Sequence, residues 1–418
     1  MERFILRYVG KGDKPLADCQ RINQTFGISV VEETSPKMFL VESTEEILEE
    51  AILNLPNWKF AAETTLSIFD PRARASALPL TEKASVSQLL QQVEPLGIDF
   101  QFLLDRILPD QLSSRLRAML GNPHNTLDTN FLDDYSSILK RVFGLDVLRG
   151  QLQPAPVGVP VRFKAPTNLK IEYFETYLKY VDCLADIISS SNTSIDSKVL
   201  KRTAPEFRSD LLSNYGEITL EAGVNYLWDL SVPVLPLGHS SFFHGACWKV
   251  QKQIVVVLKQ PSQHQSRWLF DIFHELYHAK EESPHDEVTI DLDTALYSPE
   301  EQIANDFAAE ILLGTRAKQM VFQCISNSGG EVTRLKKAVS DFSREENIPV
   351  GVLANLVAYE VGKNGVNWWG TANNLQPYAK DPLEVVRSVF IKRFDFLKLE
   401  DSIDRSILLK AITNKRAE

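Results

Sequence analysis

Two histidines and a glutamate stand at His274, Glu275 and His278. A His-Glu-x-x-His spacing of this kind suits metal-assisted hydrolysis. Residues four apart on a helix lie one turn apart on the same face, so both imidazoles can reach one ion. Glu275 sits beside them, placed to take a proton from a water that the ion holds. The competing reading is a buried helix with two hydrogen-bonded core histidines. A third ligand decides between them, because catalytic zinc takes three protein ligands and keeps a position for water. Downstream, Glu300 and Glu301 open a second helical pattern that stops at Gly314. Glu301 and Asn305 are four apart and share a face. Glu301 is the expected third ligand, and Asn305 is placed to hydrogen-bond a ligand from behind. Glu300 reads as a helix-start carboxylate.

The elements that must present these groups are readable from periodicity. Trp268 to Lys280 contains no Pro or Gly, and its apolar residues at 268, 269, 272, 273, 276 and 277 follow a helical spacing. For the second helix, Ser298 suits the N-cap and Pro299 the first helical position. Ile303, Phe307 and Ile311 are expected to form its apolar stripe. Tyr277, inside the motif, reads as a packing residue, with donation to an oxyanion as the alternative. His239 and His244 are expected to be structural or exposed, with substrate contact as the alternative. His285 is expected to be exposed.

These two segments resemble the ImmA/IrrE family of zinc metallo-endopeptidases. Its members carry a His-Glu-x-x-His helix, a loop, and then a Glu-x-x-Ala-Asn-x-Phe-Ala-Ala-Glu helix, which here runs from Glu301 to Glu310. The similarity extends upstream through 222–228, 233–236, 243–248 and 253–258, and downstream through 342–355 and 365–370. The resemblance implies a zincin-like core, with a small β-sheet beside the motif helix. It implies Zn held by His274, His278 and Glu301, with Glu275 as the base. It implies cleavage of a specific regulatory protein, repressor or antitoxin-like, in a stress, toxin–antitoxin or phage-defence setting.

The first seventy residues carry their own pattern. Strands are expected at 3–9, 28–32, 38–42 and 59–68, and helices at 16–26 and 45–55, the first ended by Gly27. The order β-α-β-β-α-β is that of a ferredoxin-like fold. The layout is similar to the propeptide inhibitor of subtilisin-like serine proteases, which implies such a protease as a partner. A generic protein-interaction domain is the alternative. Asp70 to Pro79 reads as a linker. Helices are expected at 86–93, 100–108, 110–120 and 172–188, and 151–158 reads as a Pro-rich break.

The expected class is therefore α+β. A ferredoxin-like domain spans 1–72 and a linker 73–84. A helical region spans 85–160, where longer family members hold a helix-turn-helix that reads as degenerate here. The zinc metallopeptidase core spans 161–320 and a helical C-terminal region 321–418. Two other functions remain open. One is a DNA- or protein-binding regulator with a structural zinc. The other is a toxin or defence protein held off by its own N-terminal domain.

Composition agrees with a cytoplasmic enzyme. A net charge of −10 argues against a general nucleic-acid binder, which shows a basic face. No apolar run approaches the ~18 residues of a membrane span, and the N-terminus lacks a signal core. Cys19, Cys183, Cys247 and Cys324 are scattered without metal-type pairing and read as reduced thiols.

Overall fold

An unbroken run of β-branched and aliphatic residues, Ile254 to Leu258, suits a strand buried on both faces. In the computed structural model it is that strand. The described residues are 2–8, 14–35, 38–53, 55, 57–62, 93–119, 129–148, 151–154, 161–162, 171–191, 201–237, 245–250, 253–258, 262–280, 288–290 and 299–413. Over these the chain is mixed α+β, mostly helical, with small sheets.

The first unit runs β1 (Glu2–Tyr8), α1 (Leu16–Gln24), β2 (Ser29–Ser35), β3 (Met38–Ser43), α2 (Glu45–Leu53) and β4 (Trp58–Ala62). Its sheet has the order β2-β3-β1-β4, with every neighbouring pair antiparallel. Gly27 turns the chain out of α1 with φ 87°, and a Cβ there would meet Ile47 Cδ1 at 2.5 Å. The positive φ favours glycine there, and any side chain would also have to push the tip of Ile47 aside. Phe4, Leu6, Phe39, Val41, Leu48 and Trp58 fill a core of its own. Trp58 Nε1 donates to Asp18 Oδ2 at 3.0 Å, tying β4 to α1. The expected linker at 73–84 and most of the expected helix at 86–93 lie outside the described residues.

The expected helix at 100–108 changes hand-hold midway: Phe100–Phe102 is α-helical and Leu103–Ile107 a π-turn. Next come α3 (Asp110–Met119) and α4 (Thr129–Phe143). The segment read as a break at 151–158 is instead partly a strand. β5 (Leu145–Leu148) and β6 (Gln151–Pro154) form an antiparallel hairpin. Pro154 sits at the last pairing position, where a missing N–H costs little, so its presence does not exclude a strand. Arg106 Nη1 donates to the carbonyls of Lys410 (2.9 Å) and Thr413 (2.7 Å), locking this region to the last helix.

Around the motif helix the order is β7 (Val161–Arg162), α5 (Ile171–Ser190), α6 (Ala204–Tyr215), α7 (Leu220–Asp229), β8 (Val234–Pro236), β9 (Gly245–Val250), β10 (Gln253–Leu258), α8 (Gln265–Lys280), β11 (Val288–Ile290) and α9 (Pro299–Leu313). Then come α10 (Ala317–Asn327), α11 (Val332–Glu345), α12 (Val350–Lys363), α13 (Trp369–Asn373), α14 (Pro382–Arg393) and α15 (Ser402–Ile412). The second sheet has the order β7-β11-β9-β10-β8; β9 pairs antiparallel with both neighbours, and the two outer pairs are parallel. The buried residues from Val93 to Ile412 form one continuous apolar cluster, separate from the core of the first unit. Among the described residues no helix is long and apolar enough to cross a membrane.

Candidate metal centre

Helix α8 buries Trp268, Leu269, Ile272, Phe273 and Leu276, and with them His274, Glu275 and His278. Its partner α7 approaches closely because Gly223 has no side chain. A Cβ there would come within 2.9 Å of both Ile272 Cδ1 and Leu269 Cδ1. Helix α9 is anchored at its far end. Gly314, at φ 88°, closes it by donating its N–H to the Glu310 carbonyl at 2.8 Å. Arg208 Nη1 of α6 donates to the terminal carbonyls of Ile311 and Leu312, both at 2.7 Å, where the helix dipole favours a cation. The expected N-cap at Ser298 lies outside the described residues.

The expected apolar stripe of α9 needs one correction. Phe307 and Ile311 are buried, but Ile303 is half exposed. The buried face is that of Glu301, Ala304 and Ala308. Position 303 lies about 200° around the helix from 301 at 3.6 residues per turn. Turning Glu301 inward therefore turns Ile303 out.

The structure brings His274, His278 and Glu301 together, with one ligand atom from each within 4.8 Å of the others. The two Nε2 atoms are 3.2 Å apart. Glu301 Oε2 lies 3.0 Å from His274 Nε2, and Oε1 lies 3.5 Å from His278 Nε2. Donors about 2.0–2.1 Å from a tetrahedral zinc stand about 3.3 Å from one another, and these separations bracket that value. On its other side His274 Nδ1–H donates to Asn305 Oδ1 at 3.0 Å. A neutral His274 so held turns a lone pair toward the other two groups, the form a metal needs. Two imidazole nitrogens and a carboxylate facing one small space are a donor set for a borderline cation such as zinc. In the metal-free arrangement burial pushes the Glu301 carboxyl up, but His274 and His278, when their imidazoles are protonated toward it, outweigh burial through hydrogen bonds and charge and hold it at about 2.

Glu275 is 1% exposed. Its charge is felt by Cys247 on β9, whose thiol burial and then Glu275 push up to about 12. A thiol so held is a poor nucleophile; Cys247 is a packed strand residue beside Glu275. All four cysteines are free. Tyr277 is half-buried, its ring 5.6 Å from Phe307 and 5.8 Å from the His278 ring. His239, His244 and His285 lie outside the described residues, as does the side chain of Glu300.

One group at the site has no signal in the local sequence. Asn305 Nδ2 donates to the hydroxyl of Tyr359 on α12 at 3.2 Å. Tyr359 lies in a mostly apolar helix, and nothing in its neighbours points to residue 305. Compared with models of known families, with curated proteins and with solved structures, the chain matches none.

Proposed function

We propose that the chain is a zinc-dependent endopeptidase of the ImmA/IrrE kind, with a zincin-like core. Its substrate on this reading is a specific repressor- or antitoxin-like regulatory protein in a stress, toxin–antitoxin or phage-defence setting. The observation that carries it is the buried convergence of His274, His278 and Glu301 with Glu275 next to them on the same helix. Closed structural zinc sites take four protein ligands. Among the described residues three donors converge, which favours a catalytic ion over a structural one in a DNA- or protein-binding regulator.

When bound, zinc supplies acidification of a water and polarisation of a peptide carbonyl. The chain's own groups do the rest. Glu275 accepts the proton of the attacking water on its carboxylate and returns it to the leaving amine nitrogen. Asn305 holds the His274 ring through Nδ1. The apolar packing of α8 keeps bulk water from the motif side chains, which strengthens each of these interactions.

The direct test needs no known substrate. Purified protein incubated with a lysate of its source cells should generate new protein amino termini. They should disappear after chelation and return with zinc. New termini of equal abundance with and without chelator would sink the peptidase reading.

The first unit is proposed to be ferredoxin-like and to act as a regulatory module, docking on a subtilisin-like protease or covering the zinc cleft in cis. Its β-α-β-β-α-β order, its strand order and its separate core support this. A fragment of residues 81–418 should fold and retain zinc, because the larger core is built from Val93 onward. Its activity or partner binding should differ from that of the full chain. An insoluble fragment would make the first unit part of the catalytic body instead.

A further inference from the structure

We propose that Tyr359 is a positioning residue, the middle link of a directed hydrogen-bond chain that sets which nitrogen of His274 carries the proton. The inference rests on the reading of His274 as a metal ligand. It adds the device that prepares that ligand.

The chain begins at Asp306, whose Oδ2 pairs with Lys318 Nζ of α10 at 2.6 Å. A carboxylate only accepts, so Gln302 must present its amide nitrogen to Asp306. Nε2 donates to Oδ1 at 3.0 Å. The Gln302 carbonyl oxygen is thereby left facing away as an acceptor, and the Tyr359 hydroxyl donates to it at 3.4 Å. With its proton directed there, the Tyr359 oxygen accepts from Asn305 Nδ2 at 3.2 Å. That orients the Asn305 carboxamide, whose oxygen then accepts from His274 Nδ1–H at 3.0 Å. Glu301 Oε2 lies 3.0 Å from Nε2 on the other side; with Nδ1 holding its own proton, Nε2 is the nitrogen whose lone pair a metal would take. Each step has one chemically allowed direction once Asp306 is a carboxylate. A flipped Asn305 would give its N–H to Nδ1, place the proton on Nε2, and aim it into the ligand set.

Gln302, Asn305 and Asp306 all belong to α9, and Tyr359 of α12 is the link between Gln302 and Asn305. Helix α12 is well fixed for that task. Asn355, one turn before Tyr359, donates to Ser266 Oγ of α8 at 2.9 Å. Gln376 donates to Asn355 Oδ1 at 3.1 Å and to the Gly351 carbonyl at 3.2 Å, and accepts from Ser266. Helix α12 thus grips the start of the motif helix through Asn355 and the ligand helix through Tyr359.

The test reads the tautomer and the metal separately. In metal-free full-length protein labelled with ¹⁵N-histidine, two-bond ¹H–¹⁵N correlations should show a proton on His274 Nδ1, whether or not Nε2 shares one with Glu301. Tyr359→Phe frees Asn305 to flip. It should give a mixture with the Nε2–H form and raise the zinc Kd, measured against a chromophoric chelator, by about ten- to hundredfold. Adding Asn305→Asp to that variant should restore Nδ1–H and tighter zinc binding, since a carboxylate can only accept. A merely structural role for Tyr359 would not be repaired this way. Should Tyr359→Phe fail to fold, Gln302→Lys serves in its place. Its ammonium only donates, which reverses the chain and should favour Nε2–H. An unchanged Nδ1 proton and unchanged zinc affinity in folded Tyr359→Phe would overturn the proposal, as would a His274 without an Nδ1 proton in the wild type. The predicted tautomers in a protein that binds no zinc would support the positioning role and sink the metalloenzyme reading.

Discussion

Glu275→Gln should retain zinc and fold while losing peptide hydrolysis by about 10²–10⁴-fold, the usual contribution of a positioned acid–base group. The substitution keeps the shape of a side chain that is 1% exposed, so packing is preserved. It removes the carboxylate that must hold and release a proton. It also removes a charge from beside Cys247. Burial remains the larger cause of that thiol's elevation, so the cysteine should stay unreactive. The measurement is a comparison of new amino termini in lysate treated with wild type and with Glu275→Gln at equal zinc content. The same termini appearing at the same rate would remove Glu275 from the mechanism. Loss of zinc together with activity would leave its role as base unproven and recast it as part of the metal's support.

His278→Ala should reduce bound zinc from about one per chain to near background, since a catalytic site has only three protein ligands. The loss should also appear in stability. A ligand present at a thousand times its Kd stabilises the folded state by about 4 kcal/mol. Zinc should therefore raise the thermal midpoint of the metal-free wild type and leave that of His278→Ala unmoved. Glu301→Ala should behave as His278→Ala does, because Glu301 converges with the histidines, whereas Glu300→Ala should bind zinc normally, because its position is about 100° around the helix from 301. Full occupancy in His278→Ala, measured by elemental analysis after gel filtration, would end the three-ligand site. Equal loss in Glu300→Ala would assign the third ligand wrongly. Protonated imidazoles in the metal-free site lower the Glu301 carboxyl, so at moderately acid pH it is already ionised before zinc arrives. Proton competition there falls to the imidazoles, which must be neutral to ligate.

What lies within one helix was legible in the residues alone. The i, i+4 pairing of His274 with His278, and of Glu301 with Asn305, depends only on helical periodicity. The element order of the first unit was legible too, from short strand and helix patterns in succession and the turn signal at Gly27. The break assigned to 151–158 failed for a related reason: prolines mark where a strand cannot continue, and Pro154 stands at such an end.

Tertiary structure decided the rest. Periodicity could not tell which side of α9 faces inward, and so it misplaced Ile303 on the buried stripe. That choice follows from packing against α8, which draws in Glu301. The residues that fix the site from outside are distant in sequence. Tyr359 stands 54 positions from Asn305, Gln376 stands 110 from Ser266, and Arg208 stands 103 from Ile311. Hydrogen bonds of this kind leave no periodic trace, because each depends on how two helices cross rather than on the spacing within either. The sequence determined by itself which groups could hold a metal. Only the packing of α8, α9 and α12 decided how their donor atoms are turned toward one another.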